Sequence, residues 1–115
     1  MQFDGLTILA KRADFLAAAR SRRISTPGFT LQVRERRDGE AEGIRVGFTC
    51  SRKVGNAIAR NRAKRRLREI ARLTLPEHGR DGFDYVLIGR RDNTATRDFA
   101  SLLADLRRAL SEVHS

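Results

Sequence analysis

The chain is poor in the residues that build reactive or cross-linked centres. Its single cysteine, Cys50, excludes an internal disulfide, and with two histidines it offers no Cys/His set for a structural zinc. Tryptophan is absent, and there are one tyrosine and two prolines. No apolar run approaches the roughly 18 residues of a membrane span. The N-terminus lacks the apolar core of a secretory signal. No internal repeat or low-complexity linker divides the chain, so its 115 residues, 40% of them hydrophobic, read as one folded domain, residues 1–115. A lone cysteine fits a reducing, cytoplasmic setting, and the lack of a long apolar run points to no membrane partner.

Acids are scarce as well, 14 against 24 bases, for a net charge of +10. The shortage is local. Ser51 to Arg72 (SRKVGNAIARNRAKRRLREIAR) holds nine bases and one acid, Glu69, and the other 93 residues are close to neutral. A polyanion is the partner that such a concentration fits. From Ala57 the residues are good helix formers and no proline intervenes before Pro76. At about 100° per residue, Ala59, Ala63, Leu67, Ile70, Ala71 and Thr74 share one arc. Asn61, Arg62, Lys64, Arg65, Arg66, Arg68 and Arg72 fall on the remainder. Arg60 alone breaks this division, because its phase places it inside the apolar arc. Asn56 after Gly55 is a suitable N-cap. An ordinary solvated face would intersperse acids for i,i+4 pairing, and this one has a single glutamate.

The rest of the chain alternates helix and strand signals. Met1 to Ala10 reads as an extended lead-in, Ala13 to Arg20 as a short helix, and Ser21 to Gly28 as a loop. Phe29 to Arg36 alternates, with Phe29, Leu31 and Val33 on one face. Arg37 to Gly43 has the Asp-Gly chemistry of a hairpin turn. Ile44 to Cys50 alternates again, which makes Cys50 a small core residue rather than a nucleophile. Pro76 to Gly82 reads as a loop, and the apolar Phe83 to Gly89 as a central strand. Thr96 to Val113 carries a stripe of Phe99, Leu102, Leu103, Leu106, Leu110 and Val113, with Thr94 or Thr96 as its cap. The order α-β-β-α-β-α describes an α+β sandwich with helices on a small sheet.

No side-chain arrangement in the chain spells out catalysis. His78 and His114 stand in no Cys/His or Ser/His pattern, and Asp81, Asp84, Asp92 and Asp98 have no metal-ligand spacing. Gly55 alone is too little for a phosphate-binding loop.

Phe48 to Arg68 (FTCSRKVGNAIARNRAKRRLR) resembles the signature of the bacterial ribonuclease P protein subunit. The likeness rests on Lys-Val-Gly-Asn (Lys53 to Asn56), Arg-Asn-Arg (Arg60 to Arg62) and Lys-Arg-Arg-Leu-Arg (Lys64 to Arg68). It implies a two-layer α/β sandwich with a small mixed sheet and a left-handed β-α-β crossover, like the second domain of ribosomal protein S5. Pattern reading alone would have drawn that crossover right-handed. The resemblance also implies a non-catalytic, monomeric subunit, one per catalytic RNA, in an endoribonuclease that removes the 5′ leader of precursor tRNA. Magnesium ions bound mainly by the RNA would do the chemistry, with no cofactor intrinsic to the protein.

Two surfaces follow from the resemblance. Lys53, Asn56, Arg60, Asn61, Arg62, Lys64, Arg65 and Arg68 would contact the catalytic RNA, where an arginine fork grips phosphate and stacks on bases. Phe15, Thr30, Gln32 and Thr49 would line a cleft for the single-stranded leader. Ala19 and Gln32 stand where aromatics are common in the family, which implies weaker or differently tuned leader binding. Phe15 fits either a stacking platform or the core anchor of its helix. The same basic helix would also serve a structural, ribosome-associated kind of RNA-binding protein with no role in cleavage.

Overall fold

The computed structural model describes residues 2–3, 5–37 and 42–115. Strand β6 (Phe83–Gly89) is its centre, because its residues are apolar on both sides and four in succession are buried. It pairs antiparallel with β4 (Phe29–Glu35) and parallel with β5 (Ile44–Thr49). Outside these lie β3 (Arg22–Ser25) against β4, and β2 (Leu6–Ile8) against β5 with β1 (Gln2–Phe3) beyond it. The sheet order is β1-β2-β5-β6-β4-β3.

Three expectations change here. The hairpin between Phe29 to Arg36 and Ile44 to Cys50 does not form, because β6 lies between those strands. Residues 38–41 of the expected turn lie outside the described residues, but an Asp-Gly signal is local and cannot report a strand inserted from 50 residues away. The lead-in and the Ser21 to Gly28 loop both contribute edge strands. In β3 only Ile24 is buried, so the pattern lacks the alternation that marks a strand, and its arginines are usual guards of an exposed edge.

Two long helices cover one face of the sheet. Helix α2 (Ala57–His78) buries Ala63, Leu67, Ile70, Ala71, Thr74 and Leu75, close to the arc that its sequence defines. Helix α4 (Phe99–Val113) buries Leu102, Leu106, Ala109 and Leu110. Both rows meet Phe29, Leu31, Val33, Val46, Tyr85 and Leu87 of the central strands. Truncating a side chain such as Leu67, which is fully buried, to alanine costs about 2–5 kcal/mol in sites of this kind.

The helix ends differ in detail from expectation. Helix α2 continues through Pro76, whose fixed φ suits the last turn and whose missing N–H affects one bond only, before Gly79 N–H closes on the Leu75 carbonyl at 2.8 Å. A separate turn, α3 (Asn93–Thr96), precedes α4, and Asp98 caps α4 by accepting from Ser101 N–H at 3.2 Å. Thr94 is instead buried and spent on tertiary bonds. Its hydroxyl accepts from Arg90 N–H at 2.7 Å and donates to the Gly28 carbonyl at 2.5 Å.

The other sheet face is covered only in part, by the short α1 (Arg12–Ala19). Leu9, Ala18 and Val86 form a small second cluster there, with Phe15 and Ile88 against it. The C-terminus is held to the sheet: Tyr85 Oη and His114 Nε2 are 2.7 Å apart, and the imidazole stands edge-on to Phe83. Burial there, with Arg80 and Arg22 nearby, lowers the His114 pKa.

Candidate nucleic-acid interface

The chain enters α2 through a tight, glycine-dependent reversal. Ser51 Oγ accepts from Lys53 N–H at 3.3 Å, opening a 3-10 turn over Arg52–Val54. Gly55 then adopts φ 148°, ψ −161°, and a Cβ there would lie 2.9 Å from Ala59 Cβ. Asn56 caps α2 by accepting from Ala59 N–H at 2.9 Å. Ser51, Gly55 and Asn56 thus have backbone roles, and they place Lys53 in front of the helix. Asn56 uses its side-chain oxygen for the cap, and its amide N–H groups make no hydrogen bond among the described residues.

On the first turns of α2, Asn61, Lys64, Arg65 and Arg68 surround one shallow depression. Arg60 is half-buried beside them, between the core edge and solvent. The side chains of Lys53, Arg60, Asn61, Lys64 and Arg65 make no hydrogen bond or ion pair among the described residues. Glu69, the one acid in the stretch, is paired with Arg72.

Two of the basic residues have internal work. Arg62 Nε donates to the Ala95 carbonyl at 2.9 Å. Arg66 Nη1 donates to the Thr94 carbonyl at 2.9 Å, its Nη2 to the Arg97 carbonyl, and its cation stands 5.9 Å from the Phe99 ring centre. These carbonyls belong to the end of α3, so α2 supplies the donors that finish that turn. Among the described residues the Nη groups of Arg62 make no hydrogen bond, whereas Arg66 is committed.

Elsewhere, two buried acids neutralise Arg34, Arg36, Arg45, Arg97 and Arg108. Asp84, buried in β6, accepts from Arg45 Nε and Nη2 at 2.8 Å, Arg36 Nη1 at 2.6 Å and Arg34 Nη1 at 3.3 Å. Burial pushes its pKa up, but the bonds from Arg45 and Arg36 outweigh that and hold it below the usual carboxylate value. Asp105, also buried, accepts from Arg97 at 2.8 Å and Arg108 at 3.1 Å. Sequence reasoning missed both centres. The one available signal is an acid inside an otherwise apolar strand (FDYVLIG) or helix face.

The four cleft residues named from sequence lie around α1 on the second sheet face. Strand register aligns Thr30, Ile88 and Thr49 in one row, and Gln32, Val86 and Gly47 in the next. Phe15 sits over Gly47, where a Cβ would come 2.6 Å from the ring. Its half-buried ring therefore anchors α1 and still presents an accessible part. Thr30 and Gln32 are buried and Thr49 is half-buried, so Phe15, Thr49 and Ile88 offer more surface than the β4 pair. Ile88 was not anticipated. Cys50 packs against the main core, and burial raises its pKa, as suits an inert thiol.

Among the described residues no group of three His, Cys, Asp or Glu could hold a metal ion, and no helix is long and apolar enough to cross a membrane.

A family model described as Ribonuclease P matches residues 3–114. The ribonuclease P protein component of Ruegeria pomeroyi is 65% identical over 112 residues, covering 97% of this chain and 90% of that protein. The component from Caulobacter vibrioides is 51% identical over 102 residues, covering 89% and 67%. The solved RNase P protein from Thermotoga maritima matches with a TM-score of 0.71 at 28% identity, covering 88% of this chain and 91% of its own. That of Staphylococcus aureus matches with a TM-score of 0.72 at 23% identity, covering 92% and 94%, a likeness of fold.

Proposed function

The chain belongs to the ribonuclease P protein family, and from that premise we propose that it is the RNA-binding, non-catalytic subunit of the ribonucleoprotein. It binds the catalytic RNA through the face formed by Lys53, Asn56, Arg60, Asn61, Arg62, Lys64, Arg65 and Arg68. It guides the 5′ leader of precursor tRNA along Phe15, Thr49, Thr30 and Gln32. One monomer serves each catalytic RNA, in the cytoplasm. Magnesium held by the RNA, not by this chain, would supply the activated water for cleavage. The protein's part is to neutralise phosphates that would otherwise repel, and to hold the leader in register.

The observation that carries this reading is that the side chains of Lys53, Arg60, Lys64 and Arg65 have no hydrogen bond or ion pair among the described residues. Every buried carboxylate of the sheet and of α4 is used to neutralise arginines, and none is spent on Lys53, Arg60, Lys64 or Arg65. The leader surface rests on the half-buried Phe15 and Thr49.

The test is cleavage of a precursor tRNA by the catalytic RNA at low, near-physiological magnesium, with and without the protein. Marked activation is expected, lost in an Arg60→Ala, Arg62→Ala variant. Tight RNA binding without activation would leave a structural RNA-binding protein with no role in cleavage.

A further inference from the structure

The groove between the first turns of α2 and α4 is not accounted for by phosphate contacts alone. Ile58 is 80% exposed, against 42% and 43% for the other large exposed hydrophobics, Leu16 and Leu73. An isoleucine held so far into water contributes little to folding. With Phe99 it forms the apolar part of a cavity of about 520 Å³, completed by Arg62, Arg65, Arg66 and Glu69. That volume lies within the roughly 300–1,000 Å³ of small-ligand sites.

The polar lining separates into fixed and available groups. Arg66 is held by the Thr94 and Arg97 carbonyls, and Glu69 is neutralised by Arg72. Arg65 and the Nη groups of Arg62 remain for an outside partner. An apolar wall with a cationic rim matches a base joined to a phosphate. It does not match a second copy of the chain, which carries the same net charge of +10 and would bury Arg65 without a counter-charge.

We propose that this groove receives one unstacked nucleotide of the RNA bound by α2, its base laid against Ile58 and Phe99 and its phosphate held by Arg65 and Arg62. The proposal rests on the RNA-binding role argued above and adds a base contact to it. Only a loop or bulge can supply such a base, because a paired one is inaccessible in an A-form helix. The contact is tolerant of base identity, since every base has a stacking face.

The experiment measures affinity for the catalytic RNA across a salt series, with Ile58→Ala and Ile58→Tyr variants, and probes 2′-hydroxyl reactivity in each complex. Ile58→Ala should bind about tenfold more weakly, with an unchanged salt slope because no charge is lost. Its thermal midpoint should stay that of the parent, because the side chain is exposed. Ile58→Tyr should bind at least as tightly as the parent. One unpaired nucleotide should be protected in the parent complex and reactive in the Ile58→Ala complex. Affinity within twofold of the parent and an identical reactivity pattern would overturn the inference while leaving the function intact. So would a concentration-dependent dimer of the free protein that Ile58→Ala abolishes. Failure of the parent to bind the RNA at all would remove both.

Discussion

Adjacent arginines on α2 do different work, and the difference is decided by what their guanidinium groups touch. Arg66 donates to two carbonyls at the end of α3 and lies over Phe99, while Arg65 makes no hydrogen bond among the described residues. Removing Arg66 strands partly buried carbonyls, so Arg66→Ala should lower unfolding stability by about 1–3 kcal/mol in urea titration. Its effect on the salt dependence of RNA binding should be small. Arg65→Ala should behave in the opposite way. Stability should stay within about 0.5 kcal/mol of the parent, while the slope of log affinity against log salt should flatten by about one phosphate contact or less. The reverse pattern would assign Arg65 to the fold and Arg66 to the RNA. Composition cannot separate such neighbours, because both lie on the polar side of the helix and only the position of α3 distinguishes them.

At the scale of elements, the proposed leader surface depends on how α1 seats on β5. Gly47 is the point of contact, since the Phe15 ring occupies the space that a Cβ would need. Gly47→Ala should therefore displace Phe15 and lower stability by about 1–3 kcal/mol through overpacking. In the assembled ribonucleoprotein it should weaken binding of leader-bearing precursor tRNA and leave affinity for the catalytic RNA near the parent value. Comparing leader-bearing with leaderless substrate isolates the effect, and equal losses on both would detach Phe15 from leader binding.

The elements themselves were legible in sequence to the extent that each has its own period. The apolar arc of α2, the Asn56 cap, the alternation of β4 and β5 and the stripe of α4 follow from residues a few positions apart. Strand order was not legible, because the insertion of β6 between β4 and β5 is settled by packing between distant residues. The edge strands were hidden for a related reason, as β3 buries only Ile24. At the site, the positions of the α2 cations could be read in advance. The commitment of Arg62 and Arg66 to α3 could not, because it depends on where a distant turn packs.

For the whole molecule the question is whether RNA binding follows total charge or its placement. The fold spends its buried acids on neutralising one set of arginines: Asp84 takes those of the sheet, and Asp105 those beside α4. The field left over is concentrated at the start of α2, within about a Debye length of any phosphate docked there. Two quadruple variants that each remove four positive charges separate the possibilities. One replaces Lys53, Arg60, Lys64 and Arg65 with alanine. The other replaces the exposed Arg20, Arg37, Arg91 and Arg107, which lie outside α2. If placement governs, the first should flatten the salt slope by about three, at roughly 0.7–0.9 per lost contact. The second should leave it within about one. Equal losses in the two variants would mean that the chain holds RNA as a diffuse polycation, and that the ordered reversal at Gly55 and Asn56 serves the fold alone.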